Sequence, residues 1–251
     1  MRFLHFWGVR GKHMRKFCAH RGLSALMPEN TLPAFAAALA FGADEIEFDV
    51  RLTRDQRMII SHDGNLERIS DGKGELKDFT LRELQELNVG GSRGWTVPFC
   101  TAEEVFALLA GKITFNMHLK EHGEEGYLIR ELTRLTDRYN AHGSAYFAGS
   151  PEELAWMERV APEMPRVAIQ LRREEMHILD MAREYHCAGV QFWLGMFDRA
   201  LIDTLHGEGR FCNLFYADDA EGYRTYFDMG IDTILTNRMD LAAQYRRHAR
   251  G

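Results

Sequence analysis

Between Ala19 and Asp63 the chain sets two histidines, an arginine and a pair of carboxylates inside an otherwise apolar strand-and-helix pattern: His20 and Arg21, then Glu47 and Asp49, then His62. Such groups are costly to bury without partners. Together they suit phosphate chemistry. Imidazoles titrate near neutral pH, so two of them can divide general-base and general-acid work. The planar fork of Arg21 matches a pair of phosphodiester oxygens. Glu47 and Asp49, one residue apart, repel unless a cation sits between them. Taken singly, each has a plainer reading: a packed histidine, a surface ion pair, two buried salt bridges.

The elements that must position these residues follow from alternating strand-like and helical runs. Strands are expected at Phe17 to Ala19, Glu45 to Arg51, Ile113 to Leu119, Ala145 to Ala148, Arg166 to Gln170, Gly189 to Trp193, Phe211 to Phe215 and Thr233 to Leu235. Helices are expected at Leu32 to Phe41, Glu124 to Tyr139, Pro151 to Val160, Glu174 to Tyr185, Asp198 to His206 and Glu221 to Met229. Eight strands with intervening helices predict an α/β fold, a (β/α)8 TIM barrel. A doubly wound sheet fits the same alternation, but no Gly-rich phosphate loop follows a strand. Residues 1–251 contain no repeat or low-complexity linker and read as a single domain. The stretch from Gly64 to Leu109 is too long for a βα connection. It reads as a small cap inserted after the second strand, about residues 64–110. Within it Thr80 and Glu83 cap one helix, and Thr101 caps another, Ala102 to Ala110.

Side chains alternate along a strand. In the second strand Ile46, Phe48 and Val50 would face the helices, while Glu45, Glu47, Asp49 and Arg51 would face the barrel interior. In the third, Ile113, Phe115, Met117 and Leu119 share the outer face, and Thr114, Asn116, His118 and Lys120 the inner one. His20 ends the first strand, and His62 follows the short run Met58 to Ser61. Strand C-terminal ends form the mouth of such a barrel, where chemistry resides.

The tripeptide His20-Arg21-Gly22, the run Pro28-Glu29-Asn30-Thr31, the Glu47-x-Asp49 pair and His62-Asp63 together resemble the signature of the glycerophosphodiester phosphodiesterase family. The resemblance is highly specific up to Arg68 and looser from there to about residue 245. It implies hydrolysis of a glycerophosphodiester to glycerol 3-phosphate and an alcohol, with the glycerol hydroxyl attacking phosphorus and water opening the cyclic phosphate. It implies that His20 and His62 are catalytic, that Arg21 and Lys120 bind substrate, and that Glu47 and Asp49 hold a divalent cation. The family's N-x-E-x-K phrase reads Asn116-Met117-His118-Leu119-Lys120 here, which puts His118 where a third carboxylate ligand stands. Phe215 takes the place of the family's tryptophan wall, and Ile234-Leu235-Thr236-Asn237 resembles I-I-T-D with asparagine for aspartate. The implied ion is Mg²⁺ or Ca²⁺, with Mn²⁺ or Zn²⁺ as alternatives because imidazole suits softer metals. Two other readings remain: a non-catalytic barrel that binds phosphate esters, and a phospholipase D-like activity on lysophospholipids, for which Trp193, Met196 and Phe197 would form an apolar groove.

The partner that the resemblance implies is a small-molecule phosphodiester, and composition sets limits on others. A formal charge of −6 argues against nucleic acid, which needs a basic surface. Hydrophobic residues make up 45% and charged ones 27%, which is ordinary for a globular chain. No run approaches a transmembrane length, and Phe3 to Val9 is too short and poorly flanked for a secretory segment. The basic residues Arg2, Arg10, Lys12, Arg15 and Lys16 read as a packed or frayed N-terminus, with weak membrane-surface contact as the lesser alternative. Cys18, Cys100, Cys187 and Cys212 form no CxxC motif and read as buried thiols of a cytoplasmic protein. Oligomeric state is left open.

Overall fold

The computed structural model describes residues 15–91, 94–170 and 177–248. Eight parallel strands close on one another: β1 (Lys16–His20), β2 (Glu45–Leu52), β4 (Thr114–Leu119), β5 (Ala145–Gly149), β6 (Arg166–Ile169), β7 (Gly189–Trp193), β8 (Phe211–Phe215) and β9 (Thr233–Thr236). β1 pairs with both β2 and β9, which completes the ring. A short strand, β3 (Met58–Ile60), runs antiparallel to the end of β2. The expected (β/α)8 barrel is the observed one, and each expected strand lies within a residue or so of its place. The N-terminal basic and apolar segment falls mostly outside the described residues, as do the first residues of the helix expected at Glu174.

The helices α1 (Leu32–Ala40), α4 (Tyr127–Arg138), α5 (Pro151–Val160), α6 (Ile178–Glu184), α7 (Arg199–Gly207), α8 (Ala220–Met229) and α9 (Met239–His248) cover the strands from outside. The sequence pattern did not mark α9, whose buried residues are only Met239 and Ala242. Ile46, Phe48, Val50, Phe115, Met117, Phe147, Phe192 and Leu214 supply the strand side of the apolar layer between barrel and helices. A second layer fills the interior from Tyr146, Ala148, Val167, Ile169 and Phe211.

The stretch expected as one insertion divides in two. α2 (Leu81–Gln85), whose capping box joins Thr80 and Glu83, closes a separate apolar cluster of Ile59, Leu66, Ile69, Leu76, Leu84 and Phe99. That cluster sits beside β3, at the C-terminal end of β2. α3 (Ala102–Leu109), capped by Thr101 and Glu104, instead buries Val105, Phe106 and Leu109 in the main core and packs between α1 and α4. Chain length alone does not reveal which core a helix joins.

The lower interior is polar and in good part paired, although Asn116 Oδ1 and Asn213 Oδ1 accept no hydrogen bond. Tyr146 Oη donates to Glu45 Oε2 at 2.7 Å and accepts from Asn213 Nδ2 at 3.0 Å, while Lys16 Nζ lies 3.3 Å from Glu45 Oε1. Asn116 Nδ2 donates to Gln191 Oε1 at 3.1 Å. Burial raises the Glu45 pKa, with Lys16 and the Tyr146 hydroxyl acting against it. This carboxylate is therefore committed to the barrel floor. Among the described residues, no helix is long and apolar enough to cross a membrane.

The turn after β1 fixes the site's first two residues. Gly22 has φ +82, and a Cβ added there would sit 2.7 Å from the carbonyl carbon of Ala34 in α1. Arg21 has φ 56 and its backbone N–H donates to the Glu47 carbonyl at 3.0 Å. Gly22→Ala should destabilise the protein by about 1–3 kcal/mol, combining a left-handed backbone with a backbone clash. Urea unfolding checks this, and a midpoint equal to the wild type would contradict it.

Candidate active site

Register builds the site. His20 pairs with Glu47 across β1 and β2, and Asp49 lies opposite His118 across β2 and β4. Paired strands lie about 4.8 Å apart, so interior side chains at matched positions meet. Glu47 Oε1 is 3.7 Å from His118 Nδ1, and Oε2 is 3.9 Å from His20 Nε2. Oε2 also accepts from the Arg21 backbone N–H at 3.1 Å. Asp49 Oδ1 lies 3.1 Å from both His118 Nδ1 and Lys120 Nζ. Its Oδ2 accepts from Asn30 Nδ2 at 2.9 Å and lies 3.2 Å from Arg21 Nε. Both carboxylates are almost wholly buried.

Electrostatics follow from this packing. Burial would raise the Asp49 pKa, but Lys120, His118 and Arg21 together hold it well below the usual carboxylate range. Arg21 is also ion-paired to Glu29 at 2.9 Å, so its charge is shared between two carboxylates. Burial lowers the His20 pKa, Glu47 opposes it, and Arg21 reinforces it. Burial likewise lowers the His62 pKa; Asp49 opposes, and Lys120 and Arg21 add to the fall. Both shifts favour the neutral form of the imidazole.

His62 stands on the loop after β3, where Arg51 Nε and Nη2 donate to its carbonyl at 3.1 and 2.8 Å. Its Nδ1 is 2.6 Å from Asp63 Oδ1. The hydrogen bonds from Arg68 and from His62 pull the Asp63 carboxyl down to about 2. Arg68 also bridges to Glu29 at 2.8 Å. The loop is thus tied to the PENT turn.

On the other side of His20, the Phe215 ring meets the imidazole edge-on at 4.7 Å, and Trp193 meets Phe215 at 4.6 Å. Beyond them a groove of about 1120 Å³ is lined by Trp193, Leu194, Met196, Phe215 and Tyr216, with Asp218, Asp219 and Glu221 along its polar side. Phe197 does not join it. That ring stacks on Phe192 at 4.8 Å and packs with Tyr226 in the outer apolar layer. Four residues past the end of β7, the chain has already turned back over the barrel wall.

The residues singled out in the sequence converge on one mouth: His20, Arg21, Glu47, Asp49, His118 and Lys120 in direct contact, Phe215 and Trp193 beside them, and His62 on the adjoining loop. Sequence reasoning passed over the residues that hold them. Glu29 and Asn30 were visible only as letters of a motif. Asn237 was visible only as a departure from a family phrase, and Asp218 carries no signal of its own, since the ends of β8 and β9 unite them.

The residues present fit a divalent cation. Glu47, Asp49 and His118 offer ligand atoms that all lie within 4.8 Å of one another. Asp49 Oδ1 is buried and accepts no hydrogen bond, although it faces two nitrogens. Two oxygen donors and one imidazole form a set that suits Mn²⁺ or Zn²⁺ as well as Mg²⁺.

Comparison with known proteins places the chain in a family. A glycerophosphodiester phosphodiesterase of Bacillus altitudinis is 29% identical over 255 residues, covering 93% of this chain and 98% of that one. A glycerophosphodiester phosphodiesterase of Caldanaerobacter subterraneus is 44% identical over a shorter stretch of 99 residues, 38% of this chain and 40% of that one. The structure of an Oleispira antarctica phosphodiesterase, solved with the product sn-glycerol-3-phosphate, superposes with a TM-score of 0.84 at 22% identity, covering 94% of this chain and 97% of that one. The model of the glycerophosphoryl diester phosphodiesterase family matches residues 20–241, from His20 at the end of β1 into α9. This chain belongs to the glycerophosphoryl diester phosphodiesterase family.

Proposed function

We propose that the protein hydrolyses glycerophosphodiesters to glycerol 3-phosphate and an alcohol, with Glu47, Asp49 and His118 holding a divalent cation. The observation that carries this is the buried Glu47–Asp49 pair, faced by His118 across the β2–β4 register and flanked by His20 and His62. When bound, the cation would neutralise the phosphodiester and the charge that builds on its oxygens. Lys120 and Arg21 add fixed positive charge beside the carboxylate pair. His20 Nε2 takes the proton of the attacking glycerol hydroxyl as its oxygen bonds phosphorus. His62, in its protonated form supported by Asp63, gives a proton to the leaving alkoxide as the other P–O bond breaks. The two roles then reverse as water opens the cyclic phosphate. Phe215 and Trp193 wall the glycerol side. The four buried cysteines, none in a disulfide, are in keeping with a reducing cytoplasm.

A second reading has one observation in its favour. The groove beyond Phe215 is large and partly apolar, so it would accept the acyl tail of a lysophospholipid. Release of glycerol 3-phosphate or its acylated counterpart from a panel with headgroups and tails of increasing length distinguishes the two.

Glu47→Gln should remove divalent-cation binding and lower turnover about 10²-fold or more, since neutralising one of three ligands leaves Asp49 and His118 alone. Calorimetry and product release measure both losses. Wild-type turnover of this variant in excess chelator would exclude the metal.

His20→Ala and His62→Ala should each reduce kcat by about 10²-fold or more while leaving the circular dichroism spectrum unchanged. Wild-type kcat in either variant would remove that residue from the mechanism.

Both histidines should titrate below the ordinary imidazole value of about 6.5. The unfolded chain then binds more protons than the folded one just below that pH, so stability falls as pH drops through the window. NMR titration of the two rings in metal-free protein checks this. Values at or above 6.5 would contradict it.

A further inference from the structure

Behind His20 lies a short relay that fixes which ring nitrogen carries the proton. His20 Nδ1 is 2.7 Å from Asn237 Oδ1, just past β9. Ser24 Oγ, which also donates to the His20 carbonyl, lies 2.9 Å from the same oxygen. On its other side Asn237 Nδ2 donates to Asp218 Oδ2 at 2.8 Å. Asp218 Oδ1 accepts from the Asn237 backbone N–H at 2.7 Å and from Thr236 Oγ1 at 2.9 Å. Thr236 in turn lies 2.9 Å from the buried Tyr223 hydroxyl, which anchors the assembly to α8.

An asparagine amide can face either way, and its neighbours decide. A carboxylate has only acceptors, so Asp218 must receive the amide N–H, and the amide oxygen must point at His20. An acceptor there requires a proton on Nδ1. The lone pair then sits on Nε2, the nitrogen nearer Glu47 and the mouth. Edge-on contact with Phe215 holds the ring plane but cannot choose the tautomer.

We propose that Asp218 is a positioning residue: acting through Asn237, it locks His20 in the Nδ1–H tautomer and so presents Nε2 as the proton acceptor. Asp218 need not touch substrate. Its catalytic value rests on the phosphodiesterase reading above, while the tautomer itself can be measured without substrate. In Asp218→Asn the new amide would offer its N–H to Asn237, the Asn237 amide would turn over, and its N–H would face His20 Nδ1. The proton would then move to Nε2, and the base would be disarmed with little change of shape. Exchanging the pair, Asp218→Asn with Asn237→Asp, puts an acceptor opposite Nδ1 again.

Long-range ¹H–¹⁵N NMR of histidine-labelled protein, with His20→Gln to assign the signal, reads the tautomer. Steady-state kinetics on a glycerophosphodiester reads the consequence. The wild type should show Nδ1–H. Asp218→Asn should shift the ring toward Nε2–H and lower kcat by about tenfold or more, with KM within about twofold. The exchanged pair should restore both. Asn237→Ala, which deletes the amide and keeps Asp218, should also lose the Nδ1–H lock. Retention of Nδ1–H and of kcat in folded Asp218→Asn would overturn the proposal. So would an exchanged pair that folds and stays at the Asp218→Asn level. A correct tautomer response in a protein that cleaves no glycerophosphodiester would leave the positioning role standing and sink the proposed function instead.

Discussion

Two carboxylates on one strand face, both closed off from water, are the constraint around which this barrel is arranged. At about 4 Å and an effective dielectric near 20, a pair of unit charges repels by about 4 kcal/mol, and burial adds a desolvation penalty. Glu47 and Asp49 can stay ionised in the interior only if positive charge or N–H donors converge on them. They do so from every side: Arg21 after β1, His118 and Lys120 from β4, and Asn30 from the PENT turn. Each neighbour that answers the electrostatic need is also a group suited to phosphate. Stability and chemistry therefore draw on the same contacts, and a bound cation would relieve the same repulsion.

The three interior carboxylates of β2 show how position along one strand divides structure from function. Glu45, at the floor, is saturated by Lys16 and Tyr146. Glu47, one step up, receives the Arg21 backbone N–H and otherwise faces two imidazoles at 3.7 and 3.9 Å. Asp49, at the mouth, has an oxygen aimed at nitrogens without a completed hydrogen bond. Satisfaction of hydrogen bonds falls toward the C-terminal end, where a barrel keeps its reactive groups. The floor holds the shape, and the mouth is left with unspent donor and acceptor capacity.

Much of this was legible in the sequence because the relevant signals are local. Strands such as Glu45–Leu52 and Thr114–Leu119 announce themselves by alternation, and alternation also gave the inner and outer faces. What was not legible depends on packing between distant segments. α9 escaped notice because its apolar face is short and most of its residues are polar. α3 was grouped with the cap because sequence gives its distance along the chain but not the core it joins. Phe197 was placed in the groove by proximity to Trp193, whereas the chain turns outward between them. Asn237 was seen only as a departure from a family phrase, and its partner Asp218, on another strand end, was invisible until the register of β8 and β9 brought them together.

The central claim is that Glu47, Asp49 and His118 form one cation site beside His20. A crystal grown with Mn²⁺ and glycerol 3-phosphate, measured for anomalous scattering, tests it most directly. The account predicts a single strong anomalous peak bonded to Glu47, Asp49 and His118, with the phosphate of the product against it and within reach of Arg21 and Lys120. An ion bound elsewhere, or a mouth that holds the phosphate with Lys120 alone and no metal at the carboxylate pair, would contradict it.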